Sequence, residues 1–152
     1  MSSNILYKTK TASAKDIGSH LEKCNNDFFP ALDQKVNIQE YAGRIFKNAV
    51  TFEAWSDDQL IGLIAAYSND DQTKTAFITN VSVTKEFKGK GISNELMKNC
   101  IRYLNSITFK TVELEVNENS VPAVKLYEKF HFTLREKKGS SLFMQLKLTN
   151  LK

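Results

Sequence analysis

The 152 residues predict an α/β (α+β) fold built on a mixed, mostly antiparallel central sheet with helices on both faces. Three observations carry this expectation. Apolar residues alternate with a period of two through Thr51–Tyr67 and again through Thr75–Val83, which reads as a strand meander. Ile92, Leu96, Met97, Cys100, Ile101 and Leu104 fall on one face of a helix of about four turns. Taken along the whole chain, the periodic segments come in the order βααβββαβαββ, without an internal repeat.

Ile5–Thr9 reads as an opening strand, and Ser13 caps a helix that runs through Ile17 and Leu21 to Cys24. Asn25 to Val36 shows no regular period and is expected to be a loop that shapes an acceptor pocket. Asn37 then caps a second helix carrying Ile38, Tyr41, Ala42, Ile45 and Phe46 at helical spacing. Thr51–Trp55, the turn Ser56-Asp57-Asp58 and Gln59–Tyr67 form a hairpin, a polar turn covers Ser68–Lys74, and Thr75–Val83 is the third strand of the meander. It leads into Lys85-Glu86-Phe87-Lys88-Gly89-Lys90-Gly91, a basic loop with two glycines, and then into the long helix. Thr111–Val116 is the next strand. Ser120 caps the last helix, where Pro122 is early enough to be tolerated, and two strands around Phe132–Arg135 and Leu142–Leu148 close the fold.

The length fits one domain over residues 1–152, with a core large enough to stand alone. Charged residues make up 25% and hydrophobic ones 41%, with two prolines and six glycines, so no disordered tract is expected. The net charge of +4 comes from 21 basic against 17 acidic residues, with no basic stripe interleaved with aromatics. Nucleic acid is therefore not an expected partner, whereas a small polyphosphate would account for the excess. No apolar run approaches a membrane span, and Met1–Lys8 lacks the layout of a secretion signal, which points to the cytoplasm and away from membranes. Cys24 and Cys100 form no CxxC or Cys/His cluster; both are expected as buried free thiols, with no metal site. His20 is expected at the surface and His131 in a structural role.

The loop Lys88-Gly89-Lys90-Gly91-Ile92-Ser93 between strand and helix puts free backbone N–H groups at a helix N-terminus, where the dipole favours an anion. It is neither a P-loop nor a GxGxxG fingerprint. Together with Val81-Ser82-Val83 before it, and Leu114-Glu115-Val116 and Ala123–Phe132 after it, this loop resembles the motifs of the GCN5-related N-acetyltransferases, over about the last half of the chain. The family loop, Arg/Gln-x-x-Gly-x-Gly/Ala, holds the pyrophosphate of coenzyme A on its amides. The resemblance assigns that role to Lys88, Gly89, Lys90, Gly91, Ile92 and Ser93, with lysine replacing Arg or Gln and Ser93 replacing the small last residue.

The same resemblance gives the main chains of Val81 and Val83 to the pantetheine arm and to polarisation of the thioester carbonyl. Ala123–Phe132 is similar to Asn-x-x-Ala-x-x-x-Tyr-x-x-x-Gly-Phe. The Asn position falls on Ser120, with Asn119 one residue earlier, and either side chain could reach the cofactor. His131 replaces the family's glycine at a position that often needs positive φ. Tyr127 would serve the departing thiolate by donating a proton or a hydrogen bond. Glu115, twelve residues before Tyr127, stands at the spacing of base and acid in ribosomal-protein N-terminal acetyltransferases. Glu113 and Glu115 share one face of their strand, opposite Val112, Leu114 and Val116.

The family implies direct transfer of acetyl from acetyl coenzyme A to a primary amine of a small molecule, without metal, and its members often form homodimers. A protein N-terminal or lysine acetyltransferase, and a coenzyme A-binding regulatory module without turnover, remain alternatives.

Overall fold

The computed structural model describes residues 4–148; Met1–Ser3, the start of the segment read for a leader, and residues 149–152 lie outside them. The elements are β1 (Leu6–Thr9), α1 (Ala14–Cys24), a 3₁₀ turn (Asn25–Asp27), α2 (Leu32–Lys35), α3 (Ile38–Asn48), β2 (Val50–Ser56), β3 (Gln59–Tyr67), β4 (Thr75–Val83), a 3₁₀ turn (Lys85–Phe87), α4 (Ile92–Ser106), β5 (Thr111–Asn117), α5 (Val121–Lys129), β6 (Thr133–Lys138) and β7 (Ser141–Lys147). The expected order is present. The segment from Asn25 to Val36, expected to be irregular, holds a 3₁₀ turn and the single turn of α2.

Local chemistry explains the element ends. Ser13 and Asp16 form a reciprocal capping box, and Asn37 Oδ1 accepts the Glu40 amide at 3.0 Å, so both early helices start where their caps dictate. Asp57 and Asp58 both take positive φ, 49° and 62°, the pair of values a tight hairpin turn requires. Ser120 occupies the N-cap of α5, but its hydroxyl makes no cap bond. Pro122 removes one amide such a cap would bind, and Asn117 builds the turn instead, taking the Asn119 N–H on Oδ1 at 2.8 Å and the Ser120 N–H on its carbonyl at 2.9 Å.

The seven strands form one sheet in the order β1-β2-β3-β4-β5-β7-β6, antiparallel except for the central β4–β5 pair. Two apolar cores sandwich it. On one face, α4 inserts Ile92, Leu96, Met97, Cys100 and Leu104 among strand residues such as Phe52, Ile64, Ile78, Val112 and Leu114, and Tyr127 of α5 joins them. On the other, Ile17 and Leu21 of α1 and Tyr41, Ala42 and Ile45 of α3 pack on Leu60, Leu63 and Ala65. Covered on both sides, β3 is buried from Leu60 to Ala66, as a central strand between two helix layers must be. Phe46 lies beyond the inward stripe of α3 and is exposed.

A fully buried carboxylate anchors the α1 side. Glu53 accepts from the Thr11 and Ala12 amides at 2.9 and 3.1 Å, from Trp55 Nε1 at 3.0 Å, and from the hydroxyls of Thr11 and Thr51. Burial pushes its pKa up, but these five bonds outweigh that and hold the carboxyl below the ordinary carboxylate value.

Candidate functional site

β4 and β5 pair only over four residues, from Thr75↔Thr111 to Ile78↔Leu114. There β4 carries a bulge: Ala66 faces Ile78 and Ala65 faces Asn80, so Thr79 is the extra residue. Tyr41 of α3 holds it, donating from Oη to the Thr79 carbonyl at 2.7 Å and lying 2.8 Å from Thr79 Oγ1. Beyond the bulge the two strands part and leave a cleft of about 890 Å³.

The main chain of β4 faces this cleft for a geometric reason. The Thr84 amide bonds the Ile61 carbonyl at 2.9 Å, so Thr84 and Ile61 are a hydrogen-bonded antiparallel pair. Such pairs alternate, which makes Val83↔Gly62 and Val81↔Ile64 the pairs that exchange no bonds. The N–H and C=O groups of Val81 and Val83 are therefore turned away from β3, toward the side β5 has vacated. They form a free strand edge, suited to an extended ligand with amide groups.

One end of the cleft is the N-terminus of α4. Gly91 is its N-cap at φ 78°, Gly89 takes φ 77°, and no side chain caps the helix. The Glu95 amide bonds the Gly91 carbonyl at 3.1 Å, so the amides of the first turn have no intrahelical partner. A Cβ at either glycine would meet nothing within 4 Å, so the loop is open on the outside, and positive φ is what selects glycine. An anionic, phosphate-bearing group fits this arrangement of amides and helix dipole. Asn94, in the same turn, keeps a buried Oδ1 that accepts no bond from a described residue.

Of the residues expected at the site, Val81, Val83, Lys88, Gly89, Gly91, Ile92, Ser93, Glu115, Asn119, Ser120 and Tyr127 line the cleft; Lys90 does not. Lys88 Nζ pairs at 2.9 Å with Asp27, which also lines the cleft. Tyr127 is buried, its ring 5.8 Å from that of Phe132, and burial raises its phenol well above the ordinary value. Glu115 lies on the opposite sheet face from Tyr127 and accepts the Ser141 hydroxyl at 2.8 Å, while Glu113 meets Arg135 at 3.9 Å. His131 takes φ 74°, the conformation a glycine would supply.

His20, expected at the surface, is 1% exposed. It sits on the inward stripe of α1 with Ile17, Leu21 and Cys24, and that spacing was the available signal. Its Nδ1 is 3.2 Å from the Leu60 carbonyl and its Nε2 is 2.9 Å from Ser82 Oγ, which lies 2.8 Å from Asn80 Oδ1. A carbonyl only accepts, so the ring carries its proton on Nδ1. Burial lowers its pKa to about 4. Cys24 and Cys100 are buried free thiols as expected, pushed up by burial to about 11 and about 12.

A mixed sheet split between its parallel strands, with a free strand edge and an open helix N-terminus at the split, suits an extended ligand that carries amides along its length and phosphates at one end. The acetyltransferase (GNAT) family model matches residues 15–132, and the chain belongs to that family. The spermine/spermidine N(1)-acetyltransferase of Bacillus subtilis is 26% identical over 74 residues, 48% of this chain and 49% of that protein. The chain spans about half the length of the first curated relatives it matches. Among solved structures, PH1933 from Pyrococcus horikoshii OT3 is 25% identical, with a TM-score of 0.77 over 95% of this chain and 98% of that one. The PaiA N-acetyltransferase of Thermoplasma acidophilum, solved in complex with coenzyme A, shares the fold at a TM-score of 0.73 and 15% identity, over 93% of this chain and 99% of that one.

Proposed function

We propose that the chain transfers an acetyl group directly from acetyl coenzyme A to the primary amine of a small molecule. The observation that carries this reading is the parting of β4 from β5 after Ile78↔Leu114, with the main chains of Val81 and Val83 facing the gap and the Gly89–Gly91 loop at its end. These groups match, in order, an amide-bearing arm and a pyrophosphate. When bound, acetyl coenzyme A supplies an acetyl group activated as a thioester.

The chain's own residues then divide the work by sheet face. On the α4–α5 face, the amides of Gly89 to Ser93 take the phosphates, and a β4 amide in the gap donates to the carbonyl oxygen as negative charge develops on it. Tyr127, kept protonated by burial, donates a hydrogen bond to the departing sulfur. On the other face, Glu115 receives the proton that the attacking nitrogen gives up, directly or through a water. Lys88, held by Asp27 at 2.9 Å, adds its positive charge beside the pyrophosphate.

The small-molecule reading is supported by the segment from Asn26 to Lys35, which walls the cleft beside β4, and by the named acceptors of the Bacillus subtilis relative. The test is free-thiol release from acetyl coenzyme A with amino acids, aminosugars, polyamines, simple alkylamines and arylalkylamines, and peptides with free N-termini. Turnover confined to small amines is the expected result. Turnover confined to peptides would move the assignment to a protein acetyltransferase, and binding of the cofactor without any turnover would leave a binding module.

A further inference from the structure

The side of the cleft on the α1 and α3 face of the sheet has a chemistry of its own. Its wall is made by Phe28, Phe29, Leu32 and Val36 from the segment around α2, with Tyr41 of α3 and Phe77 of β4. Two of these rings keep much of their surface open: Phe29 is 51% exposed and Phe77 38%. Apolar surface left open on a concave wall is surface that a ligand covers.

The charges of the cleft point the same way. Its lining holds two acids, Asp27 and Glu115, and two lysines, Lys35 and Lys88. Asp27 is taken by Lys88 at 2.9 Å, and Glu115 is the carboxylate left to face an amine. A chain bearing three or four ammonium groups would find one carboxylate without a paired cation, a wall of rings, and Lys35 repelling it. An acceptor with one amine at the end of a flat apolar body would meet Glu115 with its nitrogen and the phenylalanines with its body.

We infer that the acceptor is a monoamine carried on an aromatic or similarly flat apolar group, and that Phe29 and Phe77 select it. This inference rests on the transferase reading and narrows its acceptor.

The test compares kcat/KM for 2-phenylethylamine, spermidine and glucosamine in the thiol-release assay, with acetyl coenzyme A affinity measured separately by calorimetry. 2-Phenylethylamine is expected to exceed spermidine and glucosamine by about tenfold or more, the worth of a ring covered by apolar wall. Phe77→Ala and Phe29→Ala should each raise KM for 2-phenylethylamine about tenfold with cofactor affinity unchanged; both rings are partly in solvent, so each variant should stay folded, which a thermal melt checks. A preference for spermidine or glucosamine, an unchanged ratio in both Phe variants, or cofactor binding with no reaction of 2-phenylethylamine would overturn the inference. Failure to bind acetyl coenzyme A at all would instead remove the transferase reading beneath it.

Discussion

His20 shows how position decides what a titratable residue does. Its ring is enclosed between α1 and the sheet, held by Leu60 and Ser82, with Lys23 as an additional unfavourable charge for the protonated form. The folded chain therefore binds this proton only near pH 4, whereas the unfolded chain binds it near the ordinary 6.5. The contribution of neutral His20 is complete above pH 6.5, declines as the pH falls from 6.5 toward 4, and is flat below. Over that window it amounts to about 3 kcal/mol. Urea midpoints of wild type and His20→Gln, followed between pH 7 and 4, should therefore converge as the pH falls; parallel curves would show that the ring is not buried neutral. Tyr127 is buried in the same way but faces the cleft. With no other group in reach of its hydroxyl among the described residues, Tyr127→Phe should leave acetyl coenzyme A affinity unchanged and lower kcat by about 10²-fold, the range for a lost acid or transition-state donor. An equal loss in affinity would mean that the phenol only packs. Of these two residues the sequence exposed one. Tyr127 lies in a motif with a fixed spacing, whereas His20 has only its place on a helical stripe, and a polar residue on such a stripe reads as surface until the covering strand is known.

The elements around the cleft depend on one close approach. Gly62 of β3 lies under the first turn of α4, and a Cβ there would sit 2.9 Å from Ile92 Cγ2, 3.2 Å from Ala54 Cβ and 3.3 Å from Leu96 Cδ1. The Ile92 methyl is on a branched, buried side chain at the helix start and cannot simply swing aside. Gly62→Ala should push the N-terminus of α4 outward, lower stability by about 1–3 kcal/mol and weaken acetyl coenzyme A binding together. Calorimetry and thermal melts on the same variant check both; a loss of stability with intact binding would separate the helix from the site. The Gly89–Gly91 turn was readable because glycines between a strand and a helix announce themselves. The Thr79 bulge was not. It needs an extra residue in β4 against β3 and a hydroxyl from α3 to hold it, and no local pattern in Thr75–Val83 encodes either partner. Asn80 and Ser82, two polar residues in an apolar strand, were its only local trace.

At the scale of the molecule, the fold was legible because both periods run through most of the chain: period two in the meander, period 3.6 in α4, and caps at Ser13 and Asn37. Tyr127 and the α4 loop lie on one face of the sheet and Glu115, Tyr41 and the phenylalanine wall on the other, and both faces open on the gap where β4 and β5 part. The side proposed for the acceptor was the less legible half, because its wall comes from Asn25–Val36, a segment whose period is too short to read. We propose that acetyl coenzyme A lies in this split, along β4 and onto the N-terminus of α4. The direct measurement is an amide chemical-shift titration of the 17.3 kDa chain with acetyl coenzyme A. The largest shifts should fall on Val81, Val83 and Gly89 to Ser93, with Phe28 and Phe29 little moved. Saturable shifts confined elsewhere, or none at all, would contradict the account.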